Sequence, residues 1–195
     1  MSRALLISFF NVYLGLSLGA TCFSGEQTDE PQSLLDSLEL KLELGRHEKL
    51  AERKQQADSE LSPFTTDGCS GGLSVGWGHL SERIERIKEI HGDKPPWESC
   101  CITHDRAYHQ AGPRDATPLM SFAARREADQ LLQACVIETG AARAPELSLQ
   151  YDLLIEDVEQ IYQVIADLMY RAVRIGGVPC SGLPWRWGYG WPSCE

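Results

Sequence analysis

Positive charge is in short supply in this chain: 18 lysines and arginines stand against 28 aspartates and glutamates over 195 residues, a formal net charge of −10. That balance argues against nucleic acid as a partner, because a phosphate backbone demands a basic footprint. Nor can the summed charge draw the molecule onto an anionic bilayer. Any membrane contact has to come from apolar or aromatic side chains. Strand signals are scarce and no internal repeat is visible, which points to a mostly helical core. Long hydrophobic runs are nearly absent. The one candidate, Ala4 to Ala20 behind Arg3, is short of the roughly 20 residues a membrane span needs. It reads as a secretory signal peptide over residues 1–24, with cleavage after Ala20 or Ser24, and an uncleaved anchor is the rival. Cleavage at the second point removes Cys22 and leaves Cys69, Cys100, Cys101, Cys135, Cys180 and Cys194. An even number of cysteines suits an oxidised framework and a secreted or periplasmic protein.

Residues 25–61 form a helix-prone, charged N-terminal extension. Leu34, Leu38 and Leu42 recur at every fourth position, and lysine, glutamate, arginine and glutamine follow. The segment reads as an amphipathic helix lying on the domain or as a solvated arm; a propeptide is the sharper alternative. From residue 62 the chain turns into a domain. It opens with a glycine-rich loop, Thr65 to Gly78, and a short helix is expected over residues 80–91. Pro95 and Pro96 suit the first turn of a helix running from about Pro96 to Ala111, which Gly112-Pro113 stops. Thr117-Pro118 has the form of an N-cap with proline at the first helical position. The helix it starts is expected to reach Thr139, with Gly140 as its stop. A third helix is expected from about Glu146 to Arg174, on the helical spacing of Tyr151, Leu154, Ile155, Val158, Ile161, Tyr162, Ile165, Leu168 and Met169. Gly176-Gly177 ends it, and a tail over 176–195 is rich in proline, glycine and tryptophan.

The most informative stretch is Glu98-Ser99-Cys100-Cys101-Ile102-Thr103-His104-Asp105-Arg106-Ala107-Tyr108. On a helix, Cys100, His104 and Tyr108 share one stripe, and Cys101 and Asp105 the stripe beside it. A potential general base, a potential metal carboxylate and two potential disulfide anchors therefore lie within about three turns. The grouping resembles the active-site helix of secreted phospholipase A2, with Glu98 standing where that family usually has aspartate. The resemblance covers about residues 64–139. It implies a mainly α, phospholipase A2-like fold over residues 62–195, with two disulfide-linked antiparallel helices, a glycine-rich calcium loop and an additional C-terminal helix.

In that family the catalytic histidine is oriented by an aspartate six residues before a cysteine that is bonded to the first cysteine of the pair. Asp129 stands in that relation to Cys135. Given a Cys100–Cys135 bond, His104 sits about 6 Å along its helix from Cys100 and Asp129 about 9 Å back from Cys135, nearly level with it. The resemblance further implies a Cys69–Cys101 bond, which brings the loop beside Asp105. Asp105 would then join the carbonyls of Gly68, Ser70 and Gly72 as ligands of Ca²⁺, a cation that prefers oxygen donors in a flexible loop. The implied activity is calcium-dependent hydrolysis of the sn-2 ester of glycerophospholipids. His104 activates a water, Asp129 fixes the imidazole and Tyr108 helps to hold Asp129. The implied partner is a phospholipid membrane surface or micelle.

Duller readings stand beside this one. Cys100, Cys101 and His104 are conceivable zinc ligands, although structural zinc favours spaced cysteines. His47, His79, His91 and His109 show no partner pattern and read as structural or exposed. A catalytically silent phospholipase-like module that binds a membrane or a protein is the leading alternative function, and an anchored structural protein is a third. In the tail, Trp185, Trp187, Tyr189 and Trp191 suit a bilayer interface. The rival arrangement is a Cys180–Cys194 loop whose tryptophans pack back onto the third helix.

Overall fold

A computed structural model describes residues 30–69 and 94–194. Their elements are four helices: α1 (Glu30–Gln55), α2 (Glu98–Gln110), α3 (Pro118–Tyr151) and α4 (Ile155–Gly176). There is no strand among the described residues. The expected signal segment, the helix at 80–91 and most of the glycine-rich loop lie outside them.

Helix α3 is the axis on which the other three pack. Its start follows from local chemistry: Thr117 Oγ1 accepts from Met120 N at 3.2 Å and Pro118 fills the first turn, where no amide is missed. The pairings Cys100–Cys135, His104–Asp129 and Tyr108–Arg125 descend in register, so α2 runs antiparallel to α3. Gly140 against Tyr162, Gln133 against Asp167 and Arg125 against Arg174 set α4 antiparallel in the same way. Glu43–Arg125 and His47–Ser121 do so for α1.

Two sequence expectations fail here, both on this axis. Gly140 does not stop α3, which continues through Pro145 to Tyr151. A Cβ at Gly140 would lie 2.4 Å from the Tyr162 ring, so the glycine serves the close approach of α4 and not a C-cap. The expected third helix from Glu146 to Arg174 is broken instead at Asp152–Leu154, where Asp152 adopts a left-handed conformation (φ 53°). The apolar stripe read across that break divides accordingly. Val158, Tyr162 and Met169 are buried, whereas Leu154, Ile155, Ile161 and Leu168 face outward.

The core has two parts. One lies among α2, α3 and α4, with Leu132, Val136, Leu147, Val158, Tyr162 and Met169 around the Cys100–Cys135 bond. The other gathers Leu50 of α1, Tyr108, Ala111, Ala128, Trp187 and Trp191. Of the readings for the N-terminal segment, the structure has the helix lying on the domain. Its inward stripe is Glu43, His47, Leu50 and Lys54, all buried, while Leu34, Leu38 and Leu42 are 60%, 54% and 80% exposed.

Disulfides Cys69–Cys101, Cys100–Cys135 and Cys180–Cys194 complete the framework. No helix among the described residues is long and apolar enough to cross a membrane. With the disulfides, this is compatible with an oxidising extracytoplasmic compartment.

Candidate active site

Helix α2 presents its residues to α3 on one side and to a cleft on the other. The stripe Cys100–His104–Tyr108 faces α3, as helical spacing requires. His104 Nε2 lies 2.7 Å from Asp129 Oδ1, and the Tyr108 hydroxyl donates to the same oxygen at 2.7 Å. Asp129 is fully buried and His104 and Tyr108 nearly so. A carboxylate can only accept, so His104 Nε2 is the donor in this pair. The His104 and Tyr108 rings are 4.1 Å apart between centroids, and Trp187 meets Tyr108 edge-on at 5.1 Å. Burial, then the negative charge of Asp129, pushes the Tyr108 phenol well above its ordinary value, so it stays a donor.

The second stripe, Cys101–Asp105, faces the residue 64–69 segment, whose Cys69 is bonded to Cys101. Asp105 Oδ2 accepts from Thr66 Oγ1 at 2.6 Å, and Thr66 in turn accepts from Gly68 N at 3.0 Å. Burial raises the Asp105 carboxyl, and the nearby Asp67 charge raises it further against the Thr66 bond and the His104 charge. Two carboxylates facing one cleft is an excess of negative charge that a divalent cation would relieve, and the donors are all oxygen, as Ca²⁺ requires. The described residues contain no group of three or more His, Cys, Asp or Glu side chains poised for a metal. Backbone carbonyls are therefore needed to complete such a site. Gly68 is present, at φ 71°, a left-handed conformation that strains any other residue, and a side chain there would have to displace the Glu98 carboxylate. Ser70 and Gly72 lie outside the described residues.

A cleft of about 100 Å³ joins these two groups. His104, Asp105 and Asp67 line its polar end, and Leu132, Met169, Val173 and Trp185 form an apolar wall. Trp185 is 40% exposed at its mouth, whereas Trp187 and Trp191 are buried.

The tail holds the end of α2, not only the surface of the third helix. Gly188 N and Gly190 N donate to the carbonyls of Tyr108 and His109, and the Trp191 indole to that of Gln110. Lys54 Nζ then takes the next three carbonyls, Ala111, Gly112 and Pro113, at 3.0, 3.3 and 2.6 Å. The orphan acceptors that every helix leaves at its C-terminus are satisfied in this way. Burial lowers the Lys54 amine to about 8.

Sequence reasoning did not find the residues behind Asp129. Arg174 Nη1 donates to Asp129 Oδ2 at 2.9 Å. Arg125, fully buried, donates to the Tyr108 hydroxyl at 3.2 Å and to Glu43. Arg174 Nη2 reaches Glu43 Oε1 at 3.2 Å. Neither arginine nor Glu43 belongs to a local motif. Arg174 stands five residues past the buried Met169 and so well around the helix from it, and the apolar periodicity gave no hint of its burial. Of the unassigned histidines, His47 is buried against Ser121 (2.9 Å) and His109 against Phe64 and Tyr189, both structural.

No family model, no curated protein and no solved structure matches the chain. The functional reading therefore stands on the geometry and on the motif alone.

Proposed function

We propose that the protein is a secreted, calcium-dependent phospholipase A2-like hydrolase that cleaves the sn-2 ester of glycerophospholipids. The observation that carries this reading is the 2.7 Å contact of His104 Nε2 with the buried Asp129, one residue from a carboxylate that opens on the same cleft. In the proposed reaction, Nδ1 of His104 takes a proton from water as the water attacks the ester carbonyl. Asp129 holds the ring and favours the imidazolium that forms. Tyr108 keeps the Asp129 oxygen in place. The apolar wall of Leu132, Met169 and Val173 receives acyl chain and excludes water. Calcium, held by Asp105 and the carbonyls of Gly68, Ser70 and Gly72, would supply charge for the phosphate and the developing oxyanion.

The fold reading goes with the chemistry: the disulfide-linked antiparallel pair α2–α3 is the phospholipase A2-like unit, and α4 is an addition to it. A lipid surface is the proposed partner. Trp185 at the cleft mouth, with the outward-facing Leu168 and Ile175 of α4, offers the apolar contact that the net charge does not. The test is hydrolysis of phospholipid by the folded chain in calcium. A folded protein that binds vesicles without cleaving them would favour the silent module instead.

A further inference from the structure

We infer that Arg174 is a positioning residue for Asp129, and that Glu43 on α1 holds it there, so that α1 is part of the catalytic unit and not a removable extension. The inference rests on the hydrolase reading only for its consequence in turnover; its geometry does not depend on it. Asp129 Oδ1 receives His104 and Tyr108, and a carboxylate held by that oxygen alone is free to pivot about its side chain. Arg174 Nη1, on Oδ2 at 2.9 Å, removes that freedom and fixes the plane of the carboxylate.

Arg174 is itself held. Its Nε donates to Glu39 Oε1 at 2.8 Å and its Nη2 to Glu43 Oε1 at 3.2 Å. The other Glu43 oxygen takes Arg125, whose Nε bonds the Tyr108 hydroxyl. Arg125 Nη2 spans the carbonyls of Val173 (2.8 Å) and Arg174 (2.7 Å), tying the last turn of α4 to α3. Glu43 thus touches both arginines, and through them both Tyr108 and Asp129. The buried charges close as two arginines against Asp129 and Glu43. Burying this set is costly unless every member is paired. It is arranged around the carboxylate that His104 needs, which a role confined to stability does not require.

The test uses the full disulfide-bonded chain with Arg174→Met, Arg174→Lys and Glu43→Gln, each checked for fold by circular dichroism. The first readout is the low-field proton resonance of His104 Nε2–H, identified by its loss in His104→Gln. The second is kcat and KM on a monomeric short-chain phosphatidylcholine with calcium. The resonance is expected to move in Arg174→Met and Glu43→Gln and to return toward its original position in Arg174→Lys. The kcat is expected to fall roughly 10- to 100-fold in Arg174→Met, the range seen when partners that orient metal-bound histidines are lost, with KM little changed. A folded Arg174→Met with an unmoved resonance and unchanged kcat overturns the proposal. If that variant does not fold, an unmoved resonance in a folded Glu43→Gln does so. A resonance that moves in a chain that cleaves no lipid supports the positioning role and removes the hydrolase reading instead.

Discussion

Glu43 accepts from two buried arginines at once, and that makes it the side chain whose loss the fold should feel most. Burial alone would raise its carboxyl. The His47 and Arg125 bonds and the charges of Arg125 and Arg174 outweigh burial and hold it below its ordinary value. Glu43→Ala leaves both guanidinium groups short of a partner in the interior, and should cost about 3–5 kcal/mol in denaturant-induced unfolding. A loss under 1 kcal/mol would mean that water or Glu39 replaces it. His47, beside it, is fully buried, and burial pulls its imidazole below 6.5. The Glu43 bond and charge oppose that shift, the Arg125 and Arg174 charges add to it, and Ser121 faces Nδ1. A histidine depressed in the folded state binds its proton more readily unfolded, so its contribution is whole above the unfolded value and is lost as pH falls below about 6.5. Stability measured from pH 7.5 to 5 should decline over that window, and His47→Gln should flatten the decline. At this scale the sequence showed the His104–Asp129–Tyr108 constellation because it lies in a spaced motif. It did not show Glu43, Arg125 or Arg174, which meet only across three helices and carry no local pattern.

The start of α3 and its crossing with α4 can be traced to a cap and a glycine. Gly45 lies inside α1 with no atom within 4 Å of its Cβ position, so Gly45→Ala should stabilise the protein by about 1 kcal/mol through helix propensity. Gly140→Ala should do the opposite, costing about 1–3 kcal/mol as the new methyl meets Tyr162. Thermal unfolding of the two variants checks both signs. Gly140 also shows why element boundaries were hard to read: a glycine serving a close helix crossing looks, in sequence, the same as a glycine ending a helix. The start of α3 at Thr117-Pro118 was legible because a cap is a local event. The inward face of α1 was not. Its leucine repeat points to solvent, while the buried stripe is largely polar because it meets arginines and helix-end carbonyls. In the tail, Trp187 and Trp191 pack inward and Trp185 is partly exposed, so on the proposed reading Trp185 is the residue that meets lipid. Trp185→Ala should weaken binding to phospholipid vesicles and spare hydrolysis of a soluble short-chain substrate. Trp187→Ala should impair both, since that ring supports Tyr108. Equal losses on both assays for Trp185→Ala would contradict the surface role.

On the scale of the whole molecule, one long helix, α3, carries α1, α2 and α4, with three disulfides as staples. The pairings implied by the resemblance, Cys100–Cys135 and Cys69–Cys101, are those present, and the second brings residues 67–69 to the cleft beside α2. A helical class and an oxidised framework were readable from composition and cysteine number. The place of α1 in the assembly was not, because a charged helical segment reads alike whether it is solvated or buried against complementary charges. Charge bears on the proposed partner: on the hydrolase reading, a net charge of −10 leaves apolar side chains at the cleft mouth as the means of reaching lipid. The central claim is tested most directly by fatty-acid release from mixed phospholipid vesicles by the purified, oxidised residues 25–195. The assay compares calcium, a calcium chelator and His104→Gln. The account predicts release that requires both calcium and His104; a folded, calcium-loaded chain that releases no fatty acid would contradict it.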